Sequence, residues 1–354
     1  MVDTDASLPL PWLDEPLERA LRQGAHALLL HGPEGIGQFE LGLTLAKAWL
    51  CEGTADRRSH GAGCGVCRSC HLVAARSHPD LLVLIPELLR ESLGWASAGE
   101  GEEGGSEKVS KAKPSKEIKV EAVRAAVSFA QTTSARGRGK VLVLHPAERM
   151  NAIAANTLLK TLEEPPGSAR FVLSSAAPDS LLPTIRSRCQ ALRLALPPQD
   201  VAAAWLSARG VNDASALLAA CGGKPLQALE WHEEGIDAKL WPKIPALLAR
   251  GDALPFMAWP LPRLVETLQK VCHDVLSVSA GAAPRYFPEG SVRAAGIDAL
   301  GTWWRDLQRI AEHAEHPWSA GLMVEALVDS ARKALSEPAV SGRRSGVKSV
   351  HLPA

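Results

Sequence analysis

The stretch Gly32-Pro33-Glu34-Gly35-Ile36-Gly37-Gln38-Phe39 constrains the fold of this chain more than any other. It follows an apolar run, Ala27 to Leu30, and leads into a helical pattern from Leu41 to Leu50. A strand, a glycine loop and a helix in that order describe a phosphate loop, whose glycines free backbone N–H groups to face phosphate at a helix N-terminus. The two positions that carry the chemistry depart from the pattern. G-x-x-x-x-G-K-[ST] calls for Lys where this chain has Gln38, to neutralise phosphate, and for a hydroxyl where it has Phe39, to hold Mg²⁺. The loop keeps the shape and lacks the charge and the metal ligand.

At 354 residues the chain is too long for one ordinary core, and length suggests about two or three domains. Its 46% hydrophobic and 22% charged residues are the composition of a globular protein. Net charge is zero, so no global basic field draws it to nucleic acid. No run approaches the ~18 apolar residues of a membrane-spanning helix. The start, Met1-Val2-Asp3-Thr4-Asp5, lacks the basic segment of a secretion signal, so a cytoplasmic location is expected. In such a chain seven cysteines argue for free thiols or a metal rather than disulfides.

Helix-spaced apolar residues (Trp12, Leu13, Leu17, Ala20, Leu21) precede the first strand. After the loop and its helix, Leu81 to Ile85 predicts a strand, Val120 to Ala130 a helix, Val141 to Leu144 a buried strand, Asn151 to Leu162 a helix and Phe171 to Ser175 a further strand. Strands alternating with helices imply βαβ units and a parallel sheet, so the expected fold class is α/β. Residues 96–116 are mainly Gly, Ser, Glu and Lys without apolar periodicity and read as a flexible surface insertion, its lysines (Lys108, Lys111, Lys113, Lys116) solvated rather than bound to a polyanion. Pro197-Pro198 reads as a boundary. Short helices are expected over 199–231 and longer ones over 244–250, 261–278, 297–314 and 321–335, with a disordered tail after Pro338. Trp303, Trp304 and Trp318 have the helical spacing that core aromatics have.

Cys51, Cys64, Cys67 and Cys70 are spaced C-x12-C-x2-C-x2-C. Four thiolates satisfy tetrahedral Zn²⁺, and Gly65 eases the turn between ligands. With every position filled by protein the site is structural, not catalytic. His60 and His71 are spare candidates that the cysteines make unnecessary, and Arg57, Arg58 and Arg68 are too few charges to make a nucleic-acid site.

The strand Val141–Leu144 stands where a phosphate-loop ATPase carries an Asp for Mg²⁺ and a Glu that polarises the attacking water. Here it ends in His145-Pro146, where His145, with no metal partner apparent, reads as a strand-end residue rather than a base. The hydrolytic parts therefore fail at two separated places. Downstream lies Thr184-Ile185-Arg186-Ser187-Arg188-Cys189. A guanidinium suits phosphate oxygens, but on local composition alone Arg186 and Arg188 read as surface charges.

The stretch Ala154-Ala155-Asn156-Thr157-Leu158-Leu159-Lys160-Thr161-Leu162-Glu163-Glu164-Pro165-Pro166, together with Ser187-Arg188-Cys189 and the cysteine insertion after the loop helix, closely resembles bacterial clamp-loader subunits of the AAA+ superfamily. The resemblance covers residues 10–235 well and the C-terminal helices loosely. It implies an AAA+ core with parallel sheet over 1–197, carrying the cysteine insertion at 51–70, then a small helical lid over 198–238 and an all-α collar over 239–337. It further implies a hetero-pentamer with ATPase subunits (gamma/tau) and a delta subunit, reaching a sliding clamp and primed DNA through the complex, with no membrane. That family contains ATP-hydrolysing members and a non-hydrolysing one. The departures at Gln38, Phe39 and His145-Pro146 match the second, a stator from which no ATP binding is expected. By the same resemblance Arg188 acts in trans as an arginine finger on ATP held by the adjacent subunit. The place of the lid's sensor arginine, matched on Ala228-Leu229, holds Leu226, and Ser175 lies near the first sensor position.

Two other readings compete. A working ATPase would need Gln38 to replace a positive charge and Phe39 to ligate Mg²⁺, which a phenyl ring cannot do. A zinc-dependent DNA-binding module conflicts with zero net charge and few basic–aromatic clusters.

Overall fold

The computed structural model describes residues 10–54, 61–95, 114–236, 239–312 and 320–338. Residues 96–113 of the expected insertion, the tail beyond Pro338, His60, Arg57, Arg58 and Trp318 lie outside them. The elements run α1 (Asp14–Gln23), β1 (Ala27–His31), α2 (Gln38–Leu50), α3 (Arg68–Ala74), β2 (Leu81–Leu84), α4 (Glu87–Arg90), α5 (Val120–Gln131), β3 (Val141–Leu144), α6 (Ala152–Glu163), β4 (Arg170–Ser175), α7 (Pro183–Arg186) and β5 (Gln190–Arg193). Helices follow: α8 (Gln199–Ser207), α9 (Ala214–Ala220), α10 (Pro225–Glu233), α11 (Ile244–Arg250), α12 (Leu261–Ser279), α13 (Ile297–Ala311) and α14 (Ala320–Ser336). No strand follows β5 among the described residues, and no helix there is long and apolar enough to cross a membrane. The α/β class expected from the alternating pattern is the one observed.

The chain divides into two compact units: 1–205 with 224–227, and 206–223 with 228–354. The first is built on a five-stranded sheet in the order β2-β3-β4-β1-β5. Every pairing is parallel, with β1 between β4 (Leu28 opposite Val172) and β5 (Leu29 opposite Ala191). Helices cover parallel sheets on both faces, so the central strands are apolar throughout. Leu28, Leu30, Leu142, Val143, Leu144, Phe171, Val172 and Leu173 are all fully buried. On one face Val123, Ala126 and Ala130 of α5 and Ala154, Leu158 and Leu162 of α6 pack with Leu142, Leu144 and Phe171. Helix α6 starts where the Asn151 side chain accepts from the Ala154 N–H at 2.9 Å. It stops before Pro165-Pro166, which cannot continue a helix.

The second unit is helical. Asp274 of α12, fully buried, accepts backbone N–H bonds from Arg285 (2.9 Å), Tyr286 (2.7 Å) and Phe287 (2.9 Å). The loop it pins lays Phe287 on Trp241, ring centroids 4.6 Å apart, and Trp241 meets Trp231 at 5.1 Å. The Lys270 ammonium lies over Trp231, 4.4 Å from the ring centroid. Trp303 is buried as its spacing predicts, while Trp304 is half-buried.

Replacing Asp274 by Ala leaves three backbone donors without their acceptor. Only the Phe287 N–H is buried while the other two reach water, so at roughly 1–3 kcal/mol for a buried unpaired group the loss of unfolding free energy is expected to reach about 3 kcal/mol, readable by chemical denaturation.

Candidate functional site

Strand β1 delivers the glycine loop to the carboxyl edge of the sheet, where ligands of open α/β sheets bind. The junction is tight. A Cβ on Gly32 would lie 2.3 Å from the Leu194 carbonyl oxygen. Gly37 has φ +102° and a Cβ there would lie 2.3 Å from Leu10 Cδ1. Only glycine fits either place.

The loop's carbonyls are taken up by the chain itself. Gln38, buried, turns its amide back so that Nε2 donates to Gly32 O (2.9 Å) and Pro33 O (2.6 Å). Trp12 Nε1 donates to Ile36 O at 2.8 Å, and the Leu226 N–H donates to Gly35 O at 3.1 Å. Where a Lys would extend a charge outward, a neutral amide ties the loop to itself. Leu226 contributes a backbone contact and no charge.

Phe39 is also buried, its ring centroid 4.9 Å from that of His145 at the end of β3. The two departures from the ATPase pattern, separated by a hundred residues in sequence, are in contact. Ser174 Oγ donates its single proton to Leu144 O at 3.2 Å, so His145 Nδ1, 2.8 Å from Ser174 Oγ, is the donor of that bond. Burial pushes the His145 pKa down to about 4 against the opposing Glu148 carboxylate. The ring is neutral at physiological pH and serves as a packing surface for Phe39. Ser175 is fully buried, its Oγ accepting from the Ala177 N–H at 3.1 Å.

Arg188 lies just beyond α7, ahead of β5. Its Nη1 donates to Thr184 O at 2.9 Å, and its Nη2 pairs with a carboxylate oxygen of Glu163, the last residue of α6. The Arg188 side chain is 27% exposed and that of Glu163 is 49% exposed. Arg186 pairs instead with Asp179 at 2.7 Å.

The four cysteines converge. One thiol sulfur from each of Cys51, Cys64, Cys67 and Cys70 lies within 4.8 Å of the others. Two of the separations, Cys64 to Cys70 and Cys51 to Cys67, are 4.0 Å. Metal–sulfur bonds of about 2.3 Å in a tetrahedron put sulfurs roughly 3.8 Å apart, so the residues fit such an ion. Backbone N–H groups point at sulfur: Gly53 and Cys64 at Cys51, Cys67 at Cys64 (each 3.3 Å) and Cys70 at Cys67 (3.4 Å). Burial raises the Cys64 thiol, but the N–H groups of Val66 and Cys67 and the neighbouring thiols outweigh it and bring it down to about 6. Gly65 has φ +70°, as a turn between ligands requires. The cluster can hold a metal ion with no open coordination position.

A polar chain that no sequence motif marks anchors this cluster to the sheet. Arg136 Nε donates to Glu52 Oε1 (2.7 Å) and to Ser69 Oγ (2.9 Å), residues adjoining Cys51 and Cys70. Ser69 also meets His78 Nε2 at 3.0 Å, and His78 Nδ1 accepts from the Asp80 N–H at 3.0 Å. Asp80, fully buried before β2, accepts from Ala135 N (2.8 Å), Arg136 N (2.9 Å) and Ser134 Oγ (3.0 Å) and pairs with Lys140 at 3.0 Å. Burial raises the Asp80 carboxyl, but these donors outweigh it and hold it below the usual carboxylate range. The one sequence sign of this chain is the polar His78-Pro79-Asp80 set directly before an apolar strand.

The chain from residue 14 to residue 198 matches the family model described as DNA polymerase III, delta subunit. The DNA polymerase III subunit delta' of Pseudomonas aeruginosa is 39% identical over 219 residues, 60% of this chain and 58% of that one. The subunit delta' of Escherichia coli is 34% identical over 227 residues, 62% of this chain and 59% of that one. That of Haemophilus influenzae is 33% identical over 234 residues, 64% and 62% respectively. The chain thus spans less than two-thirds of the length of these curated relatives. With more than half of its residues under that model and these relatives beside it, the chain belongs to the DNA polymerase III, delta subunit family, alongside the subunits named delta'.

Proposed function

We propose that this chain is the non-hydrolysing stator of a DNA polymerase III clamp loader, a subunit that helps place the sliding clamp on primed DNA while its neighbours hydrolyse ATP. The observation that carries this reading is the neutral, packed arrangement that stands where a phosphate loop needs its charge and its metal ligand. Gln38 occupies the loop's own carbonyls, and Phe39 packs on a neutral His145 where an ATPase needs a cation, a hydroxyl and an acidic pair. Phosphoryl transfer is catalysed almost wholly by positioning and charge, and this pocket supplies no charge of the required kind. The glycine geometry persists because it holds β1, α2 and Leu194 together, a packing need independent of any ligand.

In this reading the core (1–197) carries Arg188 on its surface for the ATP of an adjacent gamma/tau subunit, a lid follows over 198–238, and the helices of 239–337 form the collar of a hetero-pentamer that also holds a delta subunit. A guanidinium offered to a phosphoryl group undergoing transfer stabilises the charge that spreads over its oxygens. Cys51, Cys64, Cys67 and Cys70 hold a structural Zn²⁺; the ion would join the end of α2 to the start of α3, and Arg136, Ser69 and Glu52 tie the assembly to β2.

Isothermal calorimetry of the isolated chain with Mg·ATP is expected to register no micromolar binding; such binding overturns the reading. Arg188→Ala in the reconstituted loader is expected to abolish hydrolysis at one site. A finger is worth roughly 10³–10⁵ in rate at its own site, so with the other two ATPase sites of the pentamer still working the total ATPase falls by about a third or more. An unchanged rate rejects the role of Arg188. Elemental analysis of the purified chain is expected to give one zinc per chain; a value well below one, with the thiols intact and reduced, refutes the metal assignment.

A further inference from the structure

Glu163 occupies an electrostatically poor position. Together with Glu164 it sits at the C-terminal end of α6, where the helix dipole is negative and a carboxylate is disfavoured. What offsets this is the Arg188 guanidinium, which Glu163 meets from α6 and the Thr184 carbonyl from α7. The guanidinium is not otherwise well satisfied: its Nε is buried and has no hydrogen-bond partner among the described residues. Both members of the pair reach solvent, with side chains 27% and 49% exposed. Such half-exposed pairs are weak and exchange readily. The phosphate groups of a nucleotide offer an arginine more charge than a single solvated carboxylate, and win against it.

We propose that Glu163 is a placeholder for phosphate: it holds Arg188 while no nucleotide is within reach and releases it to the phosphate oxygens of the neighbouring subunit's ATP. The inference rests on the in-trans role of Arg188 given above. Glu163 acts through the arginine and touches no substrate, so it is a positioning residue. Its carboxylate competes with ATP for the guanidinium, and removing its charge shifts the competition toward engagement.

The test uses the reconstituted loader with wild-type chain, Glu163→Gln, Glu163→Asp, Arg188→Ala and the Glu163→Gln/Arg188→Ala double variant. ATPase is read as KM and kcat separately, first without clamp and DNA. Ring assembly is checked by size-exclusion chromatography. Glu163→Gln is expected to lower the KM for ATP or raise the unstimulated rate by about two- to fivefold, Glu163→Asp to stay near wild type, and the double variant to behave as Arg188→Ala. A Glu163→Gln loader in which KM is not lowered and turnover is unchanged or reduced, or a gain that survives in the double variant, overturns the placeholder. An Arg188→Ala loader with full activity overturns the finger itself, so the two failures are told apart. If Glu163→Gln does not assemble, Glu163→Ala takes its place with the same expected and overturning results.

Discussion

The close approach of the glycine loop to the end of the sheet governs the rest of the first unit. With no Cβ at Gly32 the backbone comes against the Leu194 carbonyl, and with none at Gly37 the start of α2 comes against Leu10. Larger residues would force β1, β5 and α2 apart, and the sheet would lose the register that brings His31, His145 and Ser175 to one edge. Steric need alone therefore preserves the loop. Its glycines say nothing by themselves about whether phosphate is bound there.

Chemistry is decided one layer further in. Gln38 and Phe39 do more than remove a charge and a metal ligand. The amide closes the loop on its own carbonyls, and the phenyl ring finds an aromatic partner in His145, neutral because it is buried. The replacements at 38, 39 and 145 make one packed arrangement, in which an apolar contact takes the place of a metal site. Restoring a lysine alone would return a charge without the hydroxyl and the acidic pair that phosphoryl transfer also needs.

The features away from the glycine loop are built differently. The four thiols are assembled by local turns over twenty residues and then fastened to the core by Arg136, Ser69, His78 and Asp80. Every member of that chain has a partner, the condition under which a buried polar network gives rigidity rather than a penalty. Arg188 and Glu163 are the opposite case, a pair left half in water and easily exchanged.

The sequence by itself determined the alternation of strands and helices, the strand–loop–helix junction, the cysteine spacing and the departures from the phosphate-loop pattern at Gln38 and Phe39, because each is a local pattern set by periodicity, glycine placement or residue chemistry. Helix α6 was legible down to its cap at Asn151 and its stop before Pro165. Only the tertiary structure decided that Phe39 meets His145, that Arg136 reaches Glu52 across more than eighty residues of chain, and that Glu163 pairs with Arg188. These contacts join residues whose spacing carries no signal, since the order β2-β3-β4-β1-β5, and not proximity in sequence, brings them together.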